Sequence, residues 1–248
     1  MITIEELNEI KERRKTNLYY EEKEYLQYIF LNAISRYPDI VFKGGTCLRI
    51  CYGLQRASED LDFSSNLALP KIKDIVKRCL REFDFLNIEY KIYSQKDFKG
   101  NIRIEIRFYG PLFNGHLNST NTLKIDFNNQ KVINLETKVI NKLFSDVPLF
   151  TLNVLSEKEI LAEKIRTMAN RTQAKDIYDL WILNNKGVEI DKKLILKKLR
   201  EEGSKLSDIK ILSKSEYLQG LKNLITVIPP YEQVYKEISD FLKSLHKK

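Results

Sequence analysis

Residues 43–63 read KGGTCLRICYGLQRASEDLDF, and the order of the parts in this stretch decides the fold of the first half of the chain. Ile40, Val41 and Phe42 lead into Gly44 and Gly45, which predicts a short strand ending in a sharp bend, since glycine enters left-handed backbone conformations without a Cβ penalty. Leu48, Cys51 and Tyr52 then fall on one face of a short helix, and Asp60, Leu61, Asp62 and Phe63 alternate polar with apolar as a second strand does. Side chains two apart in a strand share a face, so Asp60 and Asp62 project together while Leu61 and Phe63 enter a core.

This spacing has a chemical meaning. Strand geometry puts the two Asp Cα atoms about 6.5 Å apart, from which both carboxylates can converge on hard divalent cations about 3.5–4 Å from each other. Magnesium suits such donors, because it takes few protein carboxylates and fills its octahedron with water and phosphate oxygens. The Gly44–Gly45 bend can bring backbone N–H groups against a triphosphate, and Thr46 at the helix start adds a hydroxyl. An anion cradle beside a two-metal platform is what nucleotidyl transfer from a nucleoside triphosphate requires. Taken singly, a glycine pair is an ordinary turn and an Asp-x-Asp is an ordinary solvated strand end. The combination within one strand, helix, strand unit is much more specific.

Working outward, residues 5–37 read as one helix stopped by Pro38, and a further helix is expected over 70–82. Strands are expected at IEYKIYS, at IRIEIRF and at LKIDF. In LKIDF, Asp126 points away from the face of Leu123, Ile125 and Phe127, which makes it the candidate third carboxylate, with Glu105 in IRIEI as its rival. Beyond about Thr151 the strand signal stops. Ser156 with Glu159 reads as a capping box for a helix carrying Ile160, Leu161, Ile165 and Met168, and further helices follow over 174–184, 192–202, 214–225 and after Pro230. The expected architecture is mixed α/β (α+β): a domain over 1–150 with a mixed sheet flanked by helices, then a helical bundle over 151–248.

Composition narrows the class. Apolar residues at 43% and charged ones at 31% describe a globular chain, and a formal net charge of +8 suits a polyanionic partner such as RNA or a triphosphate, as well as a plain solvated basic surface. Three cysteines and two histidines supply no zinc pattern, and Cys47 and Cys51 read as small helix residues. No apolar run reaches the roughly 18–20 residues that span a bilayer, and MITIEELNEIKERRK has no signal-peptide core, so no membrane role and a cytoplasmic location are expected.

These residues resemble the DNA polymerase β-like nucleotidyltransferases. The longer pattern Lys43-Gly44-Gly45-Thr46, Leu48, Arg56, Ser58, Asp60-Leu61-Asp62-Phe63, with LSEKEILAEKIRTMANRTQAKDIYDLW (155–181), is similar to the AbiEii/AbiGii toxin family in particular. The resemblance implies that Asp60, Asp62 and Asp126 hold magnesium, that Lys164 contacts nucleotide phosphates and that Asp176 is an essential helical acid. It extends the nucleotide contacts to Lys43, Gly44, Gly45, Thr46, Arg56, Ser58, Arg166 and Asp179. Thr46 stands where many members have serine, and Lys175 where arginine is usual. Read without the resemblance, Asp176 and Asp179 would be surface charges paired with Lys175 and Arg171, and Lys164 would pack its stem while its ammonium reaches a cleft. Tyr178 and Trp181 read as packing residues. The function implied is a toxin of a type IV toxin–antitoxin pair that adds nucleotides to tRNA 3′ ends, with a cognate antitoxin as partner. The alternatives are transfer to a small molecule or a protein, and an inactive nucleotide-binding module.

Overall fold

The computed structural model describes residues 1–246. Two compact units divide the chain: Met1–Cys51 with Ser58–Val154, and Tyr52–Ala57 with the chain from Leu155 onward. The division expected at 150/151 falls inside a strand, and the loop 52–57 belongs with the second unit although it lies within the motif that defines the first.

The first unit opens with α1 (Ile4–Arg14) and α2 (Leu18–Ile34) in place of the single helix expected over 5–37. The break is local chemistry. Lys15 adopts a left-handed conformation at φ 54°, and the Asn17 side chain accepts from Tyr20 N to start a new helix. α2 buries charged as well as apolar residues, and each buried charge has a partner. Arg14 bonds Glu21 and Glu24 at 2.9 Å, Arg49 donates to Glu24 at 2.6 Å, and Glu22 accepts from Leu112 N at 2.8 Å and Asn121 Nδ2 at 3.0 Å.

Seven strands form one mixed sheet: β1 (Ile40–Lys43), β2 (Asp60–Ser65), β3 (Glu89–Phe98), β4 (Asn101–Tyr109), β5 (Asn121–Asn128), β6 (Leu135–Ile140) and β7 (Phe150–Leu155), in the order β3-β4-β5-β2-β1-β7-β6. β2 pairs antiparallel with β1 and parallel with β5, and β4 runs antiparallel to both β3 and β5. The nine-residue helix α3 (Gly44–Tyr52) links β1 to β2, and the longer α4 (Leu69–Phe85) links β2 to β3. One sheet face is a dry core in which Leu61, Phe63, Ile104, Ile125 and Phe127 are all at most 1% exposed. Phe63 stands at its centre, its ring stacked on Phe127 at 5.0 Å and 5.3 Å from Phe42. β6 and β7 lie outside the strands expected from sequence.

The second unit is helical: α5 (Glu157–Asn170), α6 (Ala174–Asn185), α7 (Lys192–Glu201), α8 (Lys214–Leu221) and α9 (Tyr231–His246). Ile165, Ile177, Leu180, Leu199, Tyr217 and Ile238 are buried to 1% or less. The capping box expected at Ser156 does not form. Ser156 stands at the N-cap without a side-chain bond, and the Glu159 carboxylate that would complete the box is fully buried and pairs with Lys198 Nζ at 2.7 Å. Among the described residues, no helix is long and apolar enough to cross a membrane.

Candidate active site

The sheet register assembles the acidic residues. Asp62 lies opposite Lys43 on one side and in register with Asp126 on the other, and Asp126 in turn lies opposite Arg103 of β4. Directly opposed residues share a face, so Asp62 and Asp126 are neighbours on the face away from Phe63 and Phe127. Asp60 stands two residues along β2 on that same face, beside Lys124. Asp60, Asp62 and Asp126 are all half-buried. Glu105 also looks out on this face, opposite Lys124, but β5 separates it from β2. Asp126 is therefore the nearer acid to Asp62.

The glycine bend holds the Asp62 carboxylate in place. Gly44 has φ +79°, and a Cβ added there would collide with Asp62 Oδ2 and lie 3.0 Å from its carboxyl carbon. Position 44 thus needs glycine twice over, for its left-handed backbone and for the space that the carboxylate fills. Thr46, expected to present a hydroxyl to phosphate, is fully buried instead. Its hydroxyl donates to the Asp60 carbonyl at 2.5 Å and lies 2.8 Å from Ser58 Oγ. Thr46 and Ser58 therefore tie the start of α3 to the start of β2, which sets where Asp60 stands. Lys43 is likewise buried, with its ammonium donating to Gln130 Oε1 at 2.7 Å.

The third acid is engaged. Arg103 grips Asp126 with two parallel bonds, Nε to Oδ1 at 2.8 Å and Nη2 to Oδ2 at 2.9 Å. Among the described residues, no group of three or more His, Cys, Asp or Glu side chains stands ready to hold a metal ion. The backbone brings three hard oxygen donors to one face of adjacent strands, a set that suits a divalent cation in chemistry, while Arg103 holds one of them as its counter-ion. Sequence reading passed over Arg103. Its alternation with Ile102 and Ile104 placed it on the polar face, but only the cross-strand register shows which residue it meets.

In the helical unit, Lys164, Asp176 and Asp179 are buried and form a compact charge cluster with Arg56 of the 52–57 loop. Arg56 clasps Asp179 with bonds of 2.6 and 2.7 Å, and Lys164 Nζ lies 2.6 Å from Asp179 and 2.9 Å from Asp176. Two cations and two carboxylates make the set neutral. The two aspartates are thus not surface charges paired with Lys175 and Arg171: both face inward, and their partners come from α5 and from a loop more than a hundred residues away in sequence. Burial alone would push the Asp179 carboxyl up, but Arg56 and then Lys164 outweigh it and hold the group below its ordinary value. For the Lys164 ammonium burial works downward, and Asp179 with Asp176 outweighs it to keep the group above its usual range. Arg166 reaches Glu202 at 3.3 Å. Tyr178 donates to the Gln55 carbonyl at 3.3 Å and Trp181 Nε1 to Glu237 at 2.6 Å, so both help to pack the helical unit.

Comparison with known proteins gives the family and the fold. The family described as "Nucleotidyl transferase AbiEii toxin, Type IV TA system" matches residues 30–244. The fold is similar to MenT4, a nucleotidyltransferase toxin of Mycobacterium tuberculosis H37Rv, with a TM-score of 0.75 at 18% identity over 98% of this chain and 90% of that one. It is also similar to JHP933 of Helicobacter pylori, with a TM-score of 0.61 at 21% identity over 93% of each chain. At these identities the likenesses speak for the fold alone. No curated protein matches the sequence. The chain belongs to the AbiEii nucleotidyltransferase toxin family, and it is a nucleotidyltransferase with a nucleoside triphosphate as substrate.

Two stability tests follow from the geometry. Gly44→Ala combines left-handed strain of about 1–2 kcal/mol with displacement of Asp62, whereas Gly115→Ala, also at positive φ but in open space, carries the strain alone. Thermal melts should therefore rank Gly44→Ala below Gly115→Ala, and equal melting temperatures would contradict the close approach. Asp179→Asn leaves two buried cations with one carboxylate and should remove about 3–5 kcal/mol of unfolding free energy at pH 7. Because the folded-state Asp179 carboxyl titrates below its unfolded value, its stabilisation is complete above about pH 4 and is lost as pH falls through the folded value. Urea titrations of both proteins should therefore converge below pH 4, and a difference that stays constant into acid would argue against the ion pairing.

Proposed function

We propose that the protein is a divalent-metal-dependent nucleotidyltransferase that transfers a nucleoside monophosphate to the 3′ end of tRNA in the cytoplasm, and that a cognate antitoxin restrains it. The observation that carries this reading is the set Asp60, Asp62 and Asp126 on one face of adjacent strands, with the Asp62 carboxylate packed against the Gly44 bend.

Asp60 and Asp62 hold the metal in this reading, and Asp126 joins them once Arg103 lets go. Bound magnesium would neutralise triphosphate charge and ease loss of pyrophosphate. The Gly44 bend lets the Asp62 carboxylate stand against the start of α3, where a metal-bound triphosphate would meet it, and Thr46 with Ser58 positions Asp60 from behind. In the helical unit the reading assigns Lys164 and Asp176 through family resemblance. Asp179 and then Asp176 hold the Lys164 ammonium above its ordinary range against the effect of burial, so it carries the charge that a phosphate contact needs. A net charge of +8 suits an RNA acceptor, and the toxin family supplies the reason to expect an antitoxin.

Incubation with magnesium, each labelled triphosphate in turn and total tRNA should label the RNA. Asp62→Asn should cut that labelling by at least about 10- to 100-fold, since a lost ligand costs no less than a lost outer partner. Label on RNA that survives the substitution would refute the site. Arg103→Ala removes a cation that competes for Asp126 and should tighten Mn²⁺ binding by up to about fivefold, the worth of an exposed ion pair. Calorimetric titration giving unchanged or weaker binding would show that Arg103 does not compete.

A further inference from the structure

The sheet face that bears the three aspartates continues across β5, β4 and β3 and changes character along the way. Opposed pairs fix which residues share it: Asp62 with Asp126, Asp126 with Arg103, Arg103 with Lys96, and Arg107 with Lys91. The other face of β4 is core, with Ile102, Ile104, Ile106 and Phe108 at most 1% exposed. A register shift between Ile92 and Ser94 leaves Tyr93 as an extra residue opposite β4. Bulges of this kind re-aim a side chain. Tyr93 is 65% exposed, and the Arg107 guanidinium carbon lies 5.2 Å from its ring centre.

We propose that this outer face of the β3–β4 hairpin is the track on which a single-stranded 3′ segment of the acceptor RNA lies, with phosphates on Lys91, Lys96, Arg107 and Lys124 and an unstacked base on Tyr93. The proposal rests on the transferase reading above and names the surface that delivers the acceptor to it. Charge complementarity carries it. Among the described residues, none of these four cations is held in a salt bridge, and the face sets against them only Glu89 and Glu105 besides the aspartates. Lys91 and Lys96 lie opposite Arg107 and Arg103, four strand steps or about 13 Å apart, too far to share one phosphate and well spaced for a polyanion running beside the strand. An exposed aromatic with an arginine against it offers a stacking platform to a base of a single strand, whereas bases inside a duplex are already stacked. β3 is an edge strand, so its lysines also have a simpler explanation as guards against edge-to-edge pairing.

The test is fluorescence anisotropy with a labelled 12-nucleotide single-stranded RNA and its duplex, in EDTA from 50 to 200 mM KCl, using the intact protein and variants whose melting temperature matches it. Lys91→Ala with Lys96→Ala should weaken single-strand binding at least about tenfold and reduce the salt slope by about 1.4, or 0.7 per lost phosphate contact. Tyr93→Ala should weaken it about 5- to 150-fold, with less effect on the duplex. The proposal is overturned if both variants bind RNA with unchanged affinity and slope, or if the lysine variant merely self-associates, as edge guarding predicts. Failure of the transferase reading looks different. RNA binding that responds to the hairpin variants without any nucleotide transfer would refute the transferase reading and leave this surface standing. Transfer to a small hydroxyl compound by a protein that binds no RNA would overturn both this surface and the tRNA acceptor and leave only nucleotidyl transfer itself.

Discussion

The whole first unit turns on the burial of one ring. Phe63 is fully enclosed among Phe30, Phe42 and Phe127, and because side chains alternate along a strand, its position obliges Asp60 and Asp62 to face the other way. A slip of one residue in β2 would drive two carboxylates into that aromatic core and expose Leu61 and Phe63, so the register is strongly specified. Parallel pairing with β5 then carries Phe127 to Phe63 and, on the reverse side, Asp126 to Asp62. The same packing that stabilises the sheet thus gathers like charges on its opposite face, where Arg103 relieves the repulsion by pairing with Asp126.

The second unit solves a different problem with a similar economy. Charged groups are buried there, which would be costly if any stood alone, but Arg56, Lys164, Asp176 and Asp179 neutralise one another, and Lys198 pairs with Glu159. Arg56 comes from the 52–57 loop, and Ala57 N in the same loop bonds the Leu224 carbonyl at 2.7 Å. A segment lying between the glycine bend and the Asp pair in sequence is thereby anchored in the helical unit. The stretch from Gly44 to Phe63 therefore contributes residues to each unit, and Arg56 belongs to the second.

How much of this was legible in the sequence depends on the range of the interaction concerned. Period-two alternation in DLDF, IRIEIRF and LKIDF disclosed β2, β4 and β5 along with the faces of Asp62 and Asp126, since that information is carried by adjacent residues. The break between α1 and α2 was missed because Tyr25, Ile29 and Leu31 continue a helical pattern and hide the Asn17 cap. β6, with Leu135, Thr137 and Val139 exposed along the sheet edge, lacks the buried stripe that marks a strand. The Ser156–Glu159 capping box was plausible locally, yet Glu159 found Lys198 on α7. The pairing of Arg56 with Asp179 and of Arg103 with Asp126 depends on tertiary register, which no window of sequence contains.

The central claim is that Asp60, Asp62 and Asp126 hold one metal-bound triphosphate beside the Gly44 bend. Crystals grown with Mn²⁺ and a non-hydrolysable triphosphate test it most directly through the anomalous signal of manganese. The account predicts a peak within about 2.1 Å of carboxylate oxygens of both Asp60 and Asp62, with the Arg103 guanidinium drawn off Asp126. Manganese and triphosphate bound elsewhere, with Arg103 still clasping Asp126, would contradict it.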